Sequence, residues 1–388
     1  MKDYDVLIVG GGTVGCLLAL GLAAAGLKLA IVEAREYGSG GEHPGFDART
    51  IALARHSAEY LRALGLSEQL GRTAYPIHRI KITDQGHLGQ CYLDHQDQGV
   101  DALGWVISQQ QLGQMLFESL KDKAVDWYCP DTLSDIRLEQ EQVVLTLTSG
   151  QVLGCKLLVA ADGGHSPTCR MLNLNTRSED YQQVALVANV QTQEPNQYLA
   201  FERFTQSGPL ALLPVSEKVS GLVWSLESSQ QAEFAALSDA DLLARLQDAF
   251  GYDLGRLERI SKRGFYPLML QRLEQAGTHR TLVVGNAAHT LHPIAGQGFN
   301  LGLRDVQALA GLLLADPGQD PGRYALLRAY RQARQSDQQR VIGMTDSLVR
   351  LFSNQYFPLV VGRNLGLALL DQFSGAKSSL ARRAMGYT

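Results

Sequence analysis

Three short runs of glycine and polar residues carry the chemistry of this 388-residue chain. The longest opens with Gly285-Asn286-Ala287-Ala288-His289 and continues through Pro293-Ile294-Ala295-Gly296-Gln297-Gly298-Phe299-Asn300 to Arg304-Asp305. An apolar strand-like segment, Thr281 to Val284, precedes it, and an apolar-periodic segment from Leu301 to Leu314 follows. Strand, polar loop and helix in that order form a binding platform. Its glycines let a ligand approach the backbone, and the helix start offers free amide donors and a positive field. Such a platform suits an anion or an electron-rich ring oxygen.

The second run, Gly10-Gly11-Gly12-Thr13-Val14-Gly15, fits G-x-G-x-x-G directly after a strand and before a helix. The first glycine makes the tight turn, the second admits a pyrophosphate and the third lets helix and strand pack closely. Glu33 ends the next strand, where a carboxylate can accept from ribose hydroxyls. An acid there disfavours a 2′-phosphate, which points to FAD or NAD rather than NADP. The third run is Asp162-Gly163-Gly164-His165-Ser166, after the strand Leu157 to Ala161. Alone it reads equally as an Asp-Gly turn with Ser166 capping a helix, or as a phosphate-side contact through Asp162. Beside the other two runs, the contact is the favoured reading. His289 and His292 have no third metal ligand at a recognisable spacing, so a loop or cofactor-edge role is expected and no metal.

These runs need elements to hold them. Residues Tyr4 to Glu33 read as strand, glycine turn, helix (Thr13 to Ala25) and strand (Lys28 to Glu33), the opening of a right-handed βαβ unit. Gly38 to Gly45 reads as a loop, and Ser57 to Leu64 and Ser108 to Leu120 have helical spacing. Val143 to Leu147 and Val152 to Ala161 look like strands. From Tyr181 to Leu226 the texture changes to short alternating segments, an antiparallel sheet able to roof a substrate cavity. Tyr198, Phe201, Phe204 and Tyr266 fit either a cavity lining or ordinary core. Asp239 to Phe250 reads as a helix with an acidic start, and the chain after Asp305 as mostly helical, broken near Pro317, Pro321 and Pro358.

Composition sets outer limits. The chain is 45% hydrophobic and 19% charged, an ordinary globular balance long enough for two or more domains. A net charge of −4 gives no electrostatic reason for nucleic acid as a partner. Five scattered cysteines without a C-x-x-C pair read as reduced thiols. No targeting peptide is evident, and no apolar run reaches the roughly 18 residues a spanning helix needs. A cytoplasmic protein is expected, with peripheral contact at the inner membrane as the further option.

The three runs together, with the late G-[DN]-A-A-H-x-x-x-P-x-x-G-Q-G-x-N wording, resemble the FAD-dependent aromatic hydroxylases related to p-hydroxybenzoate hydroxylase. Three further stretches are similar to the ubiquinone-biosynthesis hydroxylases of that group: Phe46-Asp47-Ala48-Arg49-Thr50-Ile51-Ala52-Leu53, Phe201-Glu202-Arg203-Phe204-Thr205, and His292 through Gly302 with Arg304-Asp305-Val306. The resemblance implies FAD as cofactor, with Gly10, Gly12, Gly15 and Glu33 at its ADP half and Asp162 and Gly163 by the pyrophosphate. Arg49 would neutralise phosphate or contact the flavin side. Gly285 and Asn286 would meet the phosphate–ribityl region, and Gly296, Gln297, Gly298, Phe299 and Asn300 would offer backbone amides to the flavin pyrimidine edge. Two positions depart from the group's pattern. Most members have Asp at Asn286, where Asn keeps an acceptor but loses the charge. Many have Arg at Gln109, which could still bond the cofactor or lie on a plain surface helix.

The implied fold is α/β: a Rossmann-like FAD-binding domain (1–75, 101–180 and 270–320), an inserted, mostly antiparallel β-sheet substrate domain (76–100 and 181–269) and a C-terminal helical segment (321–388). The implied activity is hydroxylation of the aromatic ring of a polyprenyl phenol by O2, through a flavin C4a-hydroperoxide. NAD(P)H or another electron donor would act as transient reductant, since only one dinucleotide fingerprint is present. No side chain announces itself as a catalytic acid or base. The competing readings are hydroxylation of another ring position, a flavin-dependent prenyl reductase, and a non-catalytic FAD-binding assembly subunit. A bilayer-resident substrate calls for membrane-surface contact or a multi-enzyme ubiquinone complex. The segment Leu348 to Leu370 is the expected contact, with a helix packed on the domain or a dimer interface as its equal alternative.

Overall fold

A computed structural model describes residues 1–36, 49–292, 296–352, 364, 366 and 371–387. The expected loop at Gly38 to Gly45, the residues Phe46-Asp47-Ala48, and most of the Leu348 to Leu370 segment lie outside the described residues.

Continuous apolar strands build the first layer. Lys2–Val9, Leu29–Val32, Val125–Tyr128, Val152–Ala160 and Thr281–Val283 run parallel in a seven-stranded sheet, which ends in the antiparallel strands Val143–Leu147 and Leu133–Leu138. Val6, Leu7 and Ile8 are fully buried because both faces of such a sheet are covered. Helices Thr13–Leu22, Gln109–Leu120 and Gln297–Leu314 supply the cover on one side, with Leu17, Leu116, Leu303 and Leu309 in one core. The late helix starts at Gln297, four residues earlier than its apolar period suggests, because Gly296 in a left-handed conformation (φ +61°) turns the chain into it.

The inserted layer is a nine-stranded sheet, largely antiparallel, that contains Arg79–Asp84, Gln90–Asp94, Thr176–Thr192, Leu199–Thr205, Gly208–Ser216, Val219–Glu227 and Gly264–Leu273. Leu186, Leu212, Leu222 and Trp224 face outward against Leu242, Leu246 and Phe250 of the helix Asp239–Phe250. That helix begins as its acidic first turn predicts, with Ser238 Oγ accepting from Asp241 N at 3.1 Å. The other face meets the 49–50 segment, with Gly221 against Thr50 and Tyr266 under Arg49. The strand expected at Val184 to Val190 is longer, Thr176–Thr192, with an irregularity between Asp180 and Gln183 that hid its period. A three-stranded sheet of Thr50–Ala54, Gly104–Ser108 and Tyr75–Ile77 joins the two layers.

The long helix Tyr324–Phe352 packs on Gln297–Leu314 and buries Tyr330 completely. A last helix, Ser374–Ala384, lies on the strand Gln90–Asp94. Among the described residues no helix is long and apolar enough to cross a membrane.

Candidate functional site

The strand Lys2–Val9 delivers Gly10 to the edge of the first sheet, and Gly12 caps the following helix with ordinary extended backbone (φ −66°). Gly15 is fixed by packing: a Cβ there would overlap the Gly10 carbonyl and meet Ile8 Cγ2 at 3.3 Å. Gly12 is different, since a Cβ there would meet nothing within 4 Å. Glu33, only 8% exposed, accepts from Gly11 N through Oε2 at 2.6 Å and from Arg35 N through Oε1 at 2.9 Å. The carboxylate is thereby held beside the glycine turn. Beyond Glu33 a cavity of about 390 Å³ opens between Gln109–Leu120 and Val125–Tyr128, lined by Glu36, Phe117, Trp127 and Cys129 among others.

The second and third runs arrive at the same edge. Ala161 and Asp162 press on Gly10, where a Cβ would lie 2.5 Å from Ala161 O and 2.8 Å from Asp162 N. Gly164 sits against Thr290, and Gly285 against Val14 of the first helix. Asp162 accepts from Ser166 Oγ through Oδ1 and from Thr168 N through Oδ2 (3.1 Å), while Ser166 caps Cys169 N at 2.9 Å. Both expected uses of this run are therefore compatible: the turn closes a helix and lies beside the glycine turn. Gly163 has φ +88°, which the turn requires. Asn286 is exposed at the tip of the turn Gly285–Ala287, and only its backbone carbonyl is engaged, by Thr290 Oγ1 at 3.2 Å.

The other end of the site is built around residues 49–57. Gln109 N donates to Arg49 O at 2.7 Å, which brings these two residues together, and the Arg49 guanidinium lies 4.6 Å from the ring centre of Tyr266 in the inserted sheet. Gly221 of the same sheet touches Thr50. Gly296 approaches Ala52, so the start of the late helix abuts the 50–54 strand. The first-turn amides of Gln297, Gly298 and Phe299 have no acceptor within the helix, as at any helix start. The side chain of Asn300 is committed to the fold. Its Oδ1 accepts from Ala54 N (2.9 Å) and Ser57 Oγ (2.7 Å), and its Nδ2 donates to Ala52 O (2.8 Å) and Gly296 O (2.7 Å). Asn300 contributes backbone and clamping, not a free amide group.

Of the four aromatic residues left open by the sequence, only Tyr266 reaches this region. Phe201 packs edge-on to Phe250 on the outer face, Phe204 joins the cluster under the last helix, and Tyr198 stacks on Tyr75 at the surface.

A buried ionic cluster underlies the platform and was not assigned from the sequence. Asp305, fully buried, accepts from Gly285 N (3.1 Å) and His289 Nε2 (2.7 Å) through Oδ2, and from Arg334 Nε (2.8 Å) and Gln338 Nε2 (3.0 Å) through Oδ1. Arg334 and Arg304 both bond Asp337, at 2.7 and 2.9 Å. Burial alone would raise the Asp305 carboxyl, but His289 and Arg334 outweigh it and hold it down at about 2. His292, buried beside Tyr181, reaches Gln183 Oε1 from Nε2 at 3.2 Å, and burial lowers its pKa to about 4. The two histidines thus serve separate hydrogen bonds. The signal in the sequence was the Asp305 carboxylate inside an apolar helix, but its partner Arg334 is 29 residues away.

The chemistry fits a dinucleotide lying across the sheet edge. Because the Asn286 side chain bonds nothing among the described residues, Asn286→Leu is expected to leave the melting temperature unchanged and weaken FAD retention about tenfold. Flavin content of the purified variant, read from its visible absorbance, checks this, and full occupancy would remove Asn286 from the site.

Comparison with known proteins agrees with this geometry. The family described as FAD binding domain matches residues 3–345. The chain is 35% identical to ubiquinone hydroxylase UbiL of Rhodospirillum rubrum, over 99% of this chain and 90% of that protein. It is 29% identical to the 3-demethoxyubiquinol 3-hydroxylase of Escherichia coli, over 99% of both. In fold it superposes on p-nitrophenol 4-monooxygenase PnpA of Pseudomonas putida with a TM-score of 0.82 at 18% identity, covering 100% of this chain and 99% of the other.

Proposed function

The chain belongs to the FAD binding domain family, and from that premise we propose that it is an FAD-dependent monooxygenase that hydroxylates the ring of a polyprenyl phenol precursor of ubiquinone. One observation carries the reading. The glycine turn, the Asp162–Gly164 turn and the Gly285–Asn286 turn meet at one sheet edge, and the inserted sheet closes over its far end at Arg49 and Thr50. Full-length similarity to two hydroxylases named for ubiquinone intermediates supports the substrate class. The finer choice, a 2-polyprenyl-6-methoxyphenol, is the ring we assign.

When bound, FAD supplies two-electron reduction and the activation of O2. The protein supplies position and field. Gly10, Gly12, Gly15 and Glu33 hold the ADP half, with Asp162, Gly163, Gly285 and Asn286 along the pyrophosphate and ribityl chain. The amides at Gln297, Gly298 and Phe299, at the positive end of their helix, stabilise negative charge on the pyrimidine edge. Arg49 and Gln109 flank the ring, and Asn300 keeps the 52–57 segment against it. The inserted sheet keeps water from the reacting atoms. We assign residues 1–75, 101–180 and 270–320 to the FAD domain, 76–100 and 181–269 to the substrate domain, and 321–388 to the helical segment. NAD(P)H is the proposed transient donor. Contact with the membrane surface or a multi-enzyme assembly follows from the substrate's prenyl chain.

The test is oxygen consumption by the FAD-loaded protein with NADPH or NADH and a 2-methoxyphenol carrying one isoprene unit at C6. Expected is uptake of O2 matched by a product 16 mass units heavier. Turnover of the phenol or its prenyl group without O2 would favour a reductase, and no turnover with any donor an assembly subunit.

A further inference from the structure

Glu202 is an anomaly in the inserted sheet. It lies on the strand Leu199–Thr205 between Phe201, which packs outward against Phe250, and Arg203, which also points outward and lies against Gly251. Alternation therefore sends Glu202 to the inner face, with Ala200 and Phe204. Its cross-strand partners are Ile82 on one side and Ala211 on the other, and the row continues through Val223, Val187 and Gly264. A single carboxylate thus stands in a row of small apolar residues. Glu202 Oε1 is out of contact with solvent and accepts no hydrogen bond. The residue as a whole keeps some exposure, as a side chain at the wall of a cavity does.

The two neighbouring rows locate that wall. One passes through Leu213 and Gly221, which touches Thr50. The other passes through Phe204, Pro209, Ser225, Ala185 and Tyr266, which carries Arg49 on its ring. The Glu202 row runs between the two points where the inserted sheet meets the 49–50 segment. Ala211, Val223, Val187 and Gly264 are all apolar, and Glu202 is the polar group at the end of their row.

A carboxylate oxygen shut off from water and without a hydrogen bond is costly unless a ligand completes it. Among the described residues, the charged groups of the surrounding elements are engaged elsewhere. On the inner face, Asp84 bonds Asn364 (2.8 Å) and faces His87 (3.2 Å), and Tyr266 lies under Arg49. Asp346 of the long helix accepts from Tyr181, and Lys377 of the last helix sits at Asp97 and Asp371. Lys81, on the outer face, is paired with Asp253.

We propose that Glu202 accepts the phenolic proton of the ring substrate and so sets which ring carbon faces the flavin. This rests on the hydroxylase reading above. The O–H bond of the phenol breaks, its electron pair stays on oxygen and is shared with the ring, and the proton passes to the Glu202 carboxylate. No oxidant enters this step. The electron-rich ring carbons ortho and para to that oxygen then become the sites of attack by an electrophilic oxygen. Burial pushes the carboxyl up to about 7, so near neutral pH it can both take up and release a proton.

The test compares Glu202→Gln and Glu202→Asp with the FAD-loaded wild type, using the same one-isoprene 2-methoxyphenol. Glu202→Gln keeps shape and removes the base, and no lower melting temperature is expected because a buried charge is lost. Flavin content is expected to match wild type. Product formation falls about 100-fold or more, while O2 uptake continues and yields hydrogen peroxide. The low-pH limb of kcat near 7 disappears, and the bound phenol no longer shows the red-shifted absorbance of its phenolate. Glu202→Asp restores part of the rate and keeps the limb. Unchanged kcat and an unchanged pH limb in Glu202→Gln would overturn the assignment, as would a rate loss with the limb and phenolate band intact. If the wild type itself forms no hydroxylated product, the hydroxylase reading fails first, and the variants are not needed to show it.

Discussion

Asp305→Ala is expected to lose about 3–5 kcal/mol of stability, the usual cost of removing one partner from a buried charge cluster. Four donors would be stranded together: the Gly285 amide, His289, Arg334 and Gln338. Since a domain holds only about 5–15 kcal/mol in total, this is a large share of its stability. Because Asp305 grips the Gly285 amide directly, the turn that presents Asn286 would loosen even where the fold survives. Urea unfolding at pH 7 measures the first effect and flavin content the second. A midpoint within experimental error of wild type would show the cluster to be dispensable. The sign of the pH dependence follows from the lowered carboxyl. A group held at about 2 in the folded state stabilises fully above the ordinary carboxylate range near 4, and that contribution fades as pH falls from about 4 toward 2. Asp305→Asn should remove this part of the acid sensitivity, leaving a flatter midpoint between pH 5 and pH 3.

The parallel sheet was legible because its strands need apolar residues on both faces, and Val6 to Val9 and Leu157 to Ala160 state that plainly. The glycine turn was legible because steric exclusion at Gly15 is a local matter of one carbonyl. The inserted sheet could be read only in part. Val219–Glu227 and Gly208–Ser216 alternate, but Gly264–Leu273 mixes both faces over a long twisted strand, and Arg79–Asp84 carries only half-buried side chains until Asp84. Pairing partners that lie 100 or more residues apart, such as Arg79–Asp84 with Leu199–Thr205, leave no mark on either segment.

The site divides the same way. Residues that act through backbone shape, such as Gly10, Gly12 and Gly296, announce themselves by type. Residues that act through a distant partner do not. Asn300 looked like one more amide donor of the loop, and its four bonds to Ala52, Ala54, Ser57 and Gly296 appear only once the 50–57 segment is folded back on the late helix. Glu202 stood in plain view between two phenylalanines, Phe201 and Phe204. Its meaning depends on which face of the sheet it takes, and that is fixed by the helix Asp239–Phe250 covering the other.

The glycine turn itself separates fold from cofactor, and Gly12→Val against Gly15→Ala makes the separation measurable. At Gly15 the obstacle to a side chain is the Gly10 carbonyl, a backbone atom that cannot rotate away, so the helix Thr13–Leu22 must lift from the sheet. Such overpacking costs about 1–3 kcal/mol, and it displaces the amides at the helix start, where the proposed cofactor's phosphates would lie. Gly15→Ala is therefore expected to melt lower and to bind FAD poorly, with the two losses inseparable. At Gly12 no protein atom lies within 4 Å of an added Cβ, and the backbone is already in a conformation open to any residue. The apoprotein of Gly12→Val should melt within a few degrees of wild-type apoprotein, since exchanging the helix cap costs only about 1 kcal/mol. On the proposed reading, the free volume at Gly12 is instead the space a pyrophosphate would need against the helix start. A valine there should weaken FAD binding about 100-fold or more, measured by quenching of flavin fluorescence on titration. Tight binding by Gly12→Val would mean that the open space at the turn is not where the phosphates lie. A destabilised apoprotein would mean that Gly12, like Gly15, is there for packing.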